Sequence, residues 1–308
     1  MGNCGMIAPE NPDWQPQFIM TGAVKAATTW IQAQLQANPD VYLPDPEPHF
    51  FSQSFDEGKQ YYRRFFDHAP KGAIIGEKSA DYLAHEKAPA RIAALLPDVR
   101  LVAQLRDPVK RAYSDYKMFF RRGWVSGTPE EYLTSLDNPH PRFLQDGLYG
   151  RHLRRWLDHF PREALLLLKF EDIATNQRAV IEKVSRHIGA EPYYDEALAA
   201  RKQNNSAERF LPLPMRKALA PFKSYVKPLR GNAFFEYVRS KIASEIEYPK
   251  LSPELERRLR EFYRQDLEQL ENILGCDLTR WREAPVTDEE GNLSKSGALR
   301  PEELYDLS

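Results

Sequence analysis

The chain has 308 residues, 42% hydrophobic and 28% charged, and its 43 basic and 44 acidic residues leave a formal charge of −1. That balance lacks the basic excess of a generic nucleic-acid or anionic-membrane binder, and two cysteines, Cys4 and Cys276, are too few for a disulfide framework or a metal cluster. No apolar run reaches transmembrane length, no signal-peptide core precedes Phe18, and Met6 replaces the Ser/Thr that would follow Met1-Gly2-Asn3-Cys4 in a myristoylation pattern, so a protein of the reducing cytoplasm is expected.

In chain order, the pattern predicts strand Phe18–Thr21, helix Thr28–Ala37, strand Ile74–Glu77, helix Pro89–Leu96, strand Leu101–Arg106 and helix Pro108–Phe120. Helix Tyr149–His159, strand Leu165–Phe170, helix Gln177–His187 and helix Pro253–Leu274 follow. This alternation predicts an α/β domain with a mostly parallel central sheet flanked by helices, in three layers. The domain is expected at 18–282, after an N-terminal extension at 1–17 and before a polar tail at 283–308. Residues 201–249 are rich in Pro, Arg, Lys and aromatic side chains and are expected to form irregular helices and loops over the site.

Two segments carry chemistry. In the first, Phe18-Ile19-Met20 leads through Thr21-Gly22-Ala23-Val24-Lys25-Ala26-Ala27 to Thr28-Thr29-Trp30, a strand, a tight turn and a helix start. The free N–H groups of such a helix end attract anions, and Lys25, Thr28 and Thr29 add charge and donors. A nucleotide phosphate is the natural ligand; a merely structural turn is the alternative. In the second, the strand ending at Leu105 runs into Arg106-Asp107-Pro108, with Asp107 as N-cap and Pro108 at the first helical position. Arg106 then sits at the carboxyl edge of the sheet and Ser114 about two turns into the helix, placed for a second phosphate. The competing role for Arg106 is an ion pair with Asp107. Two anion sites on successive parallel strands imply a nucleotide phosphorylated at two separated positions.

These segments resemble the motifs of the sulfotransferases that use 3′-phosphoadenosine 5′-phosphosulfate (PAPS). That family has a Gly-x-x-Lys-x-Gly-Thr-Thr pattern for the 5′-phosphosulfate and an Arg-Asp-Pro-x-x-Arg-x-x-Ser-x-Tyr pattern for the 3′-phosphate. By this resemblance Lys25, Ala26, Ala27, Thr28, Thr29 and Trp30 hold the first group, and Arg106 and Ser114 the second. Ala27 stands where the family usually has glycine, so its backbone is expected to avoid positive φ or to approach the phosphate less closely. Glu47-Pro48-His49-Phe50-Phe51 is similar to the Lys-Glu-x-His-Phe-Phe segment of the heparan-sulfate branch and its bacterial relatives, with Pro46 where that branch often has lysine. Gly76-Glu77-Lys78-Ser79-Ala80-Asp81-Tyr82 is similar to that branch's Glu-Lys-Thr-Pro-x-Tyr segment. Later blocks, through Gly147 to Trp156, Leu165 to Asp172 and Phe262 to Leu278, extend the likeness over about Phe18 to Trp281.

The resemblance implies a P-loop-like fold and metal-independent, in-line transfer of a sulfuryl group from PAPS to a hydroxyl of a small molecule or glycan, releasing 3′-phosphoadenosine 5′-phosphate (PAP). Lys25 then stabilises charge on the departing phosphate, and Lys78 faces the transferring sulfonate. Glu47 takes the role of base. His49 competes for it, because its unperturbed pKa suits proton abstraction at neutral pH. Glu77 orients Lys78 or the acceptor, and Tyr82 and Tyr149 line an acceptor pocket. Each has a structural alternative: a surface carboxylate for Glu47, a core histidine for His49, a surface ion pair for Glu77 and Lys78, and core tyrosines. Arg121, Arg122 and Trp124 either meet nucleotide or acceptor or form a solvated helix end. The Lys/Arg-Gly lid of some members has no clean counterpart; Arg230-Gly231 and Asn204-Asn205-Ser206 come nearest. Two other functions stay open: an ATP-dependent phosphotransferase, although a Walker A lysine directly precedes Ser/Thr whereas Lys25 lies three residues before Thr28, and a non-catalytic nucleotide-binding protein.

Overall fold

A computed structural model describes residues 14–200 and 246–283. Nearly all of the expected extension and tail, most of 201–249, and both lid candidates lie outside these residues.

Five strands, β1 (Phe18–Gly22), β2 (Val41–Tyr42), β3 (Ile74–Lys78), β4 (Arg100–Leu105) and β5 (Leu165–Lys169), form one sheet in the order β2-β3-β1-β4-β5. Every neighbouring pair is parallel. The mostly parallel sheet read from the sequence is therefore wholly parallel among the described residues. β2 was not foreseen, because two residues are too few to show a period. The ten expected elements are present with ends moved by two residues or fewer; Arg106, for example, falls just beyond β4, and the following helix runs Pro108–Arg122 until Gly123 stops it at φ 73°. Short helices between 50 and 66 and between 129 and 145 stand beside the expected elements.

The strands are buried on both faces, so they read as apolar runs rather than as an alternation. Ile19, Ile75, Leu101, Ala103, Leu105, Leu165 and Leu167 face one core, shared with helices Ala88–Leu95, Pro108–Arg122, Tyr149–Leu157 and Pro253–Leu274. Phe18, Met20, Val102 and Leu168 face the other, shared with helices Thr28–Ala37 and Gln177–Ile188. Each fully buried aliphatic or aromatic side chain contributes about 1.5–3 kcal/mol. At Gly76 a Cβ would lie 2.2 Å from the Phe18 ring, so only glycine lets that ring cross β3.

The strand order positions the site. After β1 the chain moves to one side of the sheet to build β2 and β3, and then returns to the other side of β1 to build β4. The helix following β1 lies on one face and the helix following β4 on the other. A crevice must open between the carboxyl ends of β1 and β4, the switch point where parallel α/β sheets bind ligands.

Candidate active site

Both anion motifs meet at that crevice. The turn after β1 carries Lys25 at φ 68° and Ala27 at φ 58°, both in the left-handed region. Ala27 thus adopts the conformation that its methyl group was expected to avoid. The turn is pinned where Ala23 N–H donates to the Gln104 carbonyl at 2.7 Å, and its path to the helix requires the positive φ despite a cost of about 1–2 kcal/mol. Ala27 is also the N-cap of Thr28–Ala37 and has no side chain to offer the first-turn N–H groups, and that turn contains no acidic residue. A helix end left this way favours an external anion. Thr28 is buried, Thr29 exposed, and Trp30 packs in the core with no partner for its indole N–H among the described residues.

From β4, Arg106 reaches back across the crevice. Its Nη1 donates to the Lys25 carbonyl at 3.0 Å, and its guanidinium lies over the Phe170 ring at 4.5 Å. The ion pair with Asp107, the competing role for Arg106, gives way to other contacts. Asp107 caps its helix by accepting from Val109 N at 2.9 Å and Lys110 N at 3.2 Å, and its other oxygen faces Arg260 at 3.4 Å. Ser114 is buried on the same helix. Burial and the positive charges of Arg106, Arg121 and Arg122 push the Lys25 ammonium down to about 8, with Asp115 opposing them. Arg121 and Arg122 therefore belong to the field around Lys25. Trp124 stays 57% exposed, with Arg122 stacked 4.7 Å from its ring.

The end of β3 supplies a third group. Side chains alternate along a strand, so Glu77 and Lys78 point to opposite faces. Lys78 is buried, and its Nζ donates to Glu47 Oε1 at 2.6 Å, Gln32 Oε1 at 3.1 Å and Thr29 Oγ1 at 3.4 Å. It thus joins the phosphate turn to the expected base. The other Glu47 oxygen, Oε2, accepts from Ala80 N at 3.1 Å and lies 3.8 Å from His49 Nε2. On the far side of the imidazole, Nδ1 meets Asp81 Oδ1 at 2.7 Å. That hydrogen bond, more than any other influence, raises the His49 pKa. Glu47, His49 and Lys78 are thus brought together beyond the end of β3.

Three residues sit elsewhere. Glu77 is fully buried beside the hydroxyls of Tyr82 and Tyr62, away from Lys78, and burial pushes its carboxyl up to about 8. Tyr82 is equally buried, and its hydroxyl accepts from Phe51 N at 3.1 Å. Tyr149 is a core residue whose ring lies 6.4 Å from that of Trp281. All three are fully buried. Gln32, Ser52, Ser79 and Asp81 were missed. Gln32 lies one turn beyond Thr28 and Thr29, a spacing that places it on their side of the helix. The partnership of Asp81 with His49 spans 32 residues and leaves no local signal.

The arrangement suits a doubly phosphorylated nucleotide: a turn of left-handed residues, an uncapped helix end, and the cations Arg106, Arg121 and Arg122 gathered around Lys25. Among the described residues no helix is long and apolar enough to cross a membrane. An ATP-dependent phosphotransferase is not favoured, because the residue after β4 is Arg106, with Asp107 committed to capping the next helix.

Comparison with known proteins agrees. The human heparan sulfate glucosamine 3-O-sulfotransferase 3A1 is 32% identical over 193 residues, covering 61% of this chain and 48% of that protein. The human bifunctional heparan sulfate N-deacetylase/N-sulfotransferase 2 is 32% identical over 204 residues, covering 59% of this chain and 23% of that protein. The matched segment spans about half the length of the 3-O-sulfotransferase and less of the bifunctional enzyme. A sulfotransferase from Alicyclobacillus acidocaldarius has the same fold, with a TM-score of 0.66 at 22% identity over 87% of this chain and 99% of that one. The family profile described as the sulfotransferase domain matches residues 15–271. The chain belongs to the sulfotransferase family, enzymes that draw their sulfuryl group from PAPS.

Proposed function

We propose that this protein moves the sulfuryl group of PAPS to a hydroxyl, with a sugar of a glycan or a small glycoside as acceptor. The observation that carries this reading is the Lys78 ammonium, buried between Thr29 of the phosphate turn and Glu47 of the neighbouring loop. It puts a donor-binding element and a proton acceptor under one cation.

In this reading the Lys25 ammonium and the first-turn N–H groups hold the 5′-phosphosulfate, and Arg106 and Ser114 hold the 3′-phosphate. PAPS supplies an activated sulfur with a phosphate leaving group. The acceptor oxygen forms a bond to sulfur as the bond from sulfur to the bridging phosphate oxygen breaks. Lys25 stabilises the charge left on that oxygen, an effect of about 3 kcal/mol for a preorganised donor. The acceptor's proton passes to Glu47. Lys78 masks Glu47 at 2.6 Å in the resting protein. A negative group seated in the turn draws the ammonium toward Thr29 and releases the carboxylate as a base. The preference for a sugar hydroxyl is supported by the likeness to a glucosamine 3-O-sulfotransferase.

Calorimetry with PAP and ADP tests the donor site, since only PAP carries a 3′-phosphate. PAP is expected to bind at least tenfold more tightly, about 1.4 kcal/mol. Equal affinities would remove the second phosphate site and the reading with it. Glu47→Gln should lose turnover while keeping PAP affinity; full activity in that variant would pass the role of base to His49.

A further inference from the structure

Asp81 stands in the turn after β3, at the position that the Glu-Lys-Thr-Pro-x-Tyr pattern leaves open, so family likeness assigns it nothing. Its carboxylate is a hub. Oδ1 meets His49 Nδ1 at 2.7 Å, and Oδ2 accepts from Ser52 Oγ at 2.8 Å and Gln53 Nε2 at 3.1 Å.

We propose that Asp81 is a positioning residue for sulfuryl transfer, holding His49 by Nδ1 so that Nε2 stands beside Glu47 where the acceptor's proton leaves. This rests on the reading of Glu47 and His49 as the acceptor-activating pair.

The geometry around His49 is tightly specified. Its φ of 48° is left-handed, uncommon for a residue with a side chain. The backbone is held there by His49 N–H donating to Ser79 Oγ at 2.9 Å. An ionised Asp81 can only accept, so Nδ1 carries the proton. In the neutral ring the lone pair is then on Nε2, facing Glu47 Oε2 at 3.8 Å. When the acceptor hydroxyl attacks sulfur, its proton goes to Glu47 Oε2, and neutral Nε2 beside it can take that proton on. The resulting imidazolium faces Asp81, which stabilises it, and no further reactant is needed. The charged groups facing His49 are Asp81 in the turn, Glu47 in the preceding loop and Lys78 at the end of β3; the two carboxylates hold its proton on, while Lys78 and partial burial oppose them.

The experiment follows the His49 ring resonance by NMR in wild type, Asp81→Asn and Ser52→Ala, beside the pH profile of PAPS hydrolysis with water in the acceptor's place. In Asp81→Asn the His49 midpoint should fall by roughly one pH unit, and the His49-dependent limb of kcat should move acidward with it. The rate should drop about tenfold or more, part of the roughly 10²–10⁴-fold that general acid–base assistance supplies, with KM for PAPS unchanged. Ser52→Ala strips a donor from Asp81 and concentrates its charge on the imidazole, so the midpoint should move in the alkaline direction. A loop staple with no part in proton transfer would leave the limb where it is. An unmoved resonance or limb in Asp81→Asn, or an acid shift or none in Ser52→Ala, overturns the proposal. The resonance is read without donor or turnover, so its failure is distinct from failure of PAP binding or of Glu47→Gln.

Discussion

Single side chains in this protein carry charge states that burial has moved, and these give the clearest tests. Lys25 titrates near 8 because it is buried among Arg106, Arg121 and Arg122. A bound phosphate favours the ammonium, so binding takes up a proton and affinity for PAP should weaken as pH rises through about 8. Calorimetry at pH 8 in buffers of different ionisation enthalpy should register that uptake; a buffer-independent enthalpy would contradict it. Glu77 behaves oppositely. Its folded value of about 8 lies above the 4.5 of an unperturbed glutamate, so the folded state binds the proton more tightly. Stability is therefore fully present below about 4.5 and is lost as pH rises toward about 8. Glu77→Gln should flatten the decline in urea midpoint between about pH 4.5 and about pH 8; an unchanged slope would place the titration elsewhere. Ala27, held left-handed at φ 58°, gives a third case. Ala27→Gly relieves about 1–2 kcal/mol of backbone strain and returns part of it as unfolded-chain entropy, leaving a net gain of about 0.5–1 kcal/mol in denaturant unfolding.

The closing helix Pro253–Leu274 shows how one element organises others. Ser252 caps it, accepting from Leu255 N at 3.2 Å, and Leu255, Leu259, Tyr263, Leu267 and Leu270 form its buried seam. From that seam Asp266 accepts from Gly150 N and Arg151 N, each at 2.8 Å, and so satisfies the start of helix Tyr149–Leu157. The two helices approach so closely that a Cβ on Gly150 would lie 2.5 Å from the Asp266 carbonyl. Asp266→Ala should cost about 1–2 kcal/mol in chemical unfolding, the range for a lost cap in a buried setting. Arg260 ties the same helix to the donor site by meeting Asp107 at 3.4 Å and donating to the Trp281 carbonyl at 2.8 Å. The cap at Asp107 was legible because a polar residue before proline and an apolar period has a local meaning. All strands but β2 were legible as short apolar runs. The hairpin-sized helices after His49 were not, since four or five residues complete barely one turn and take their shape from the core they cover.

At the scale of the molecule, the parallel order and the donor crevice followed from two motifs on strands that proved to be neighbours. The acceptor side was only partly legible. Glu47, His49 and Lys78 were placed by likeness, but Gln32 and Asp81 acquire their partners from distant loops that folding brings together. Glu77 and Tyr82 share a segment with Lys78 yet face the core, because strand and turn geometry sends neighbouring residues to different faces. Arg106→Ala should weaken PAP binding by about 1.5–3 kcal/mol, the range for charge-assisted hydrogen bonds, and leave ADP much less affected. Equal losses for both nucleotides would show that the variant damages the turn rather than one phosphate contact. The contact between the Arg106 guanidinium and the Lys25 carbonyl carries a final consequence. A strut of this kind makes the two halves of the donor cradle one mechanical unit, so neither phosphate is greeted by an independent seat. Affinities for AMP, adenosine 3′-phosphate and PAP should accordingly depart from simple addition, and cutting the strut should bring them back to it.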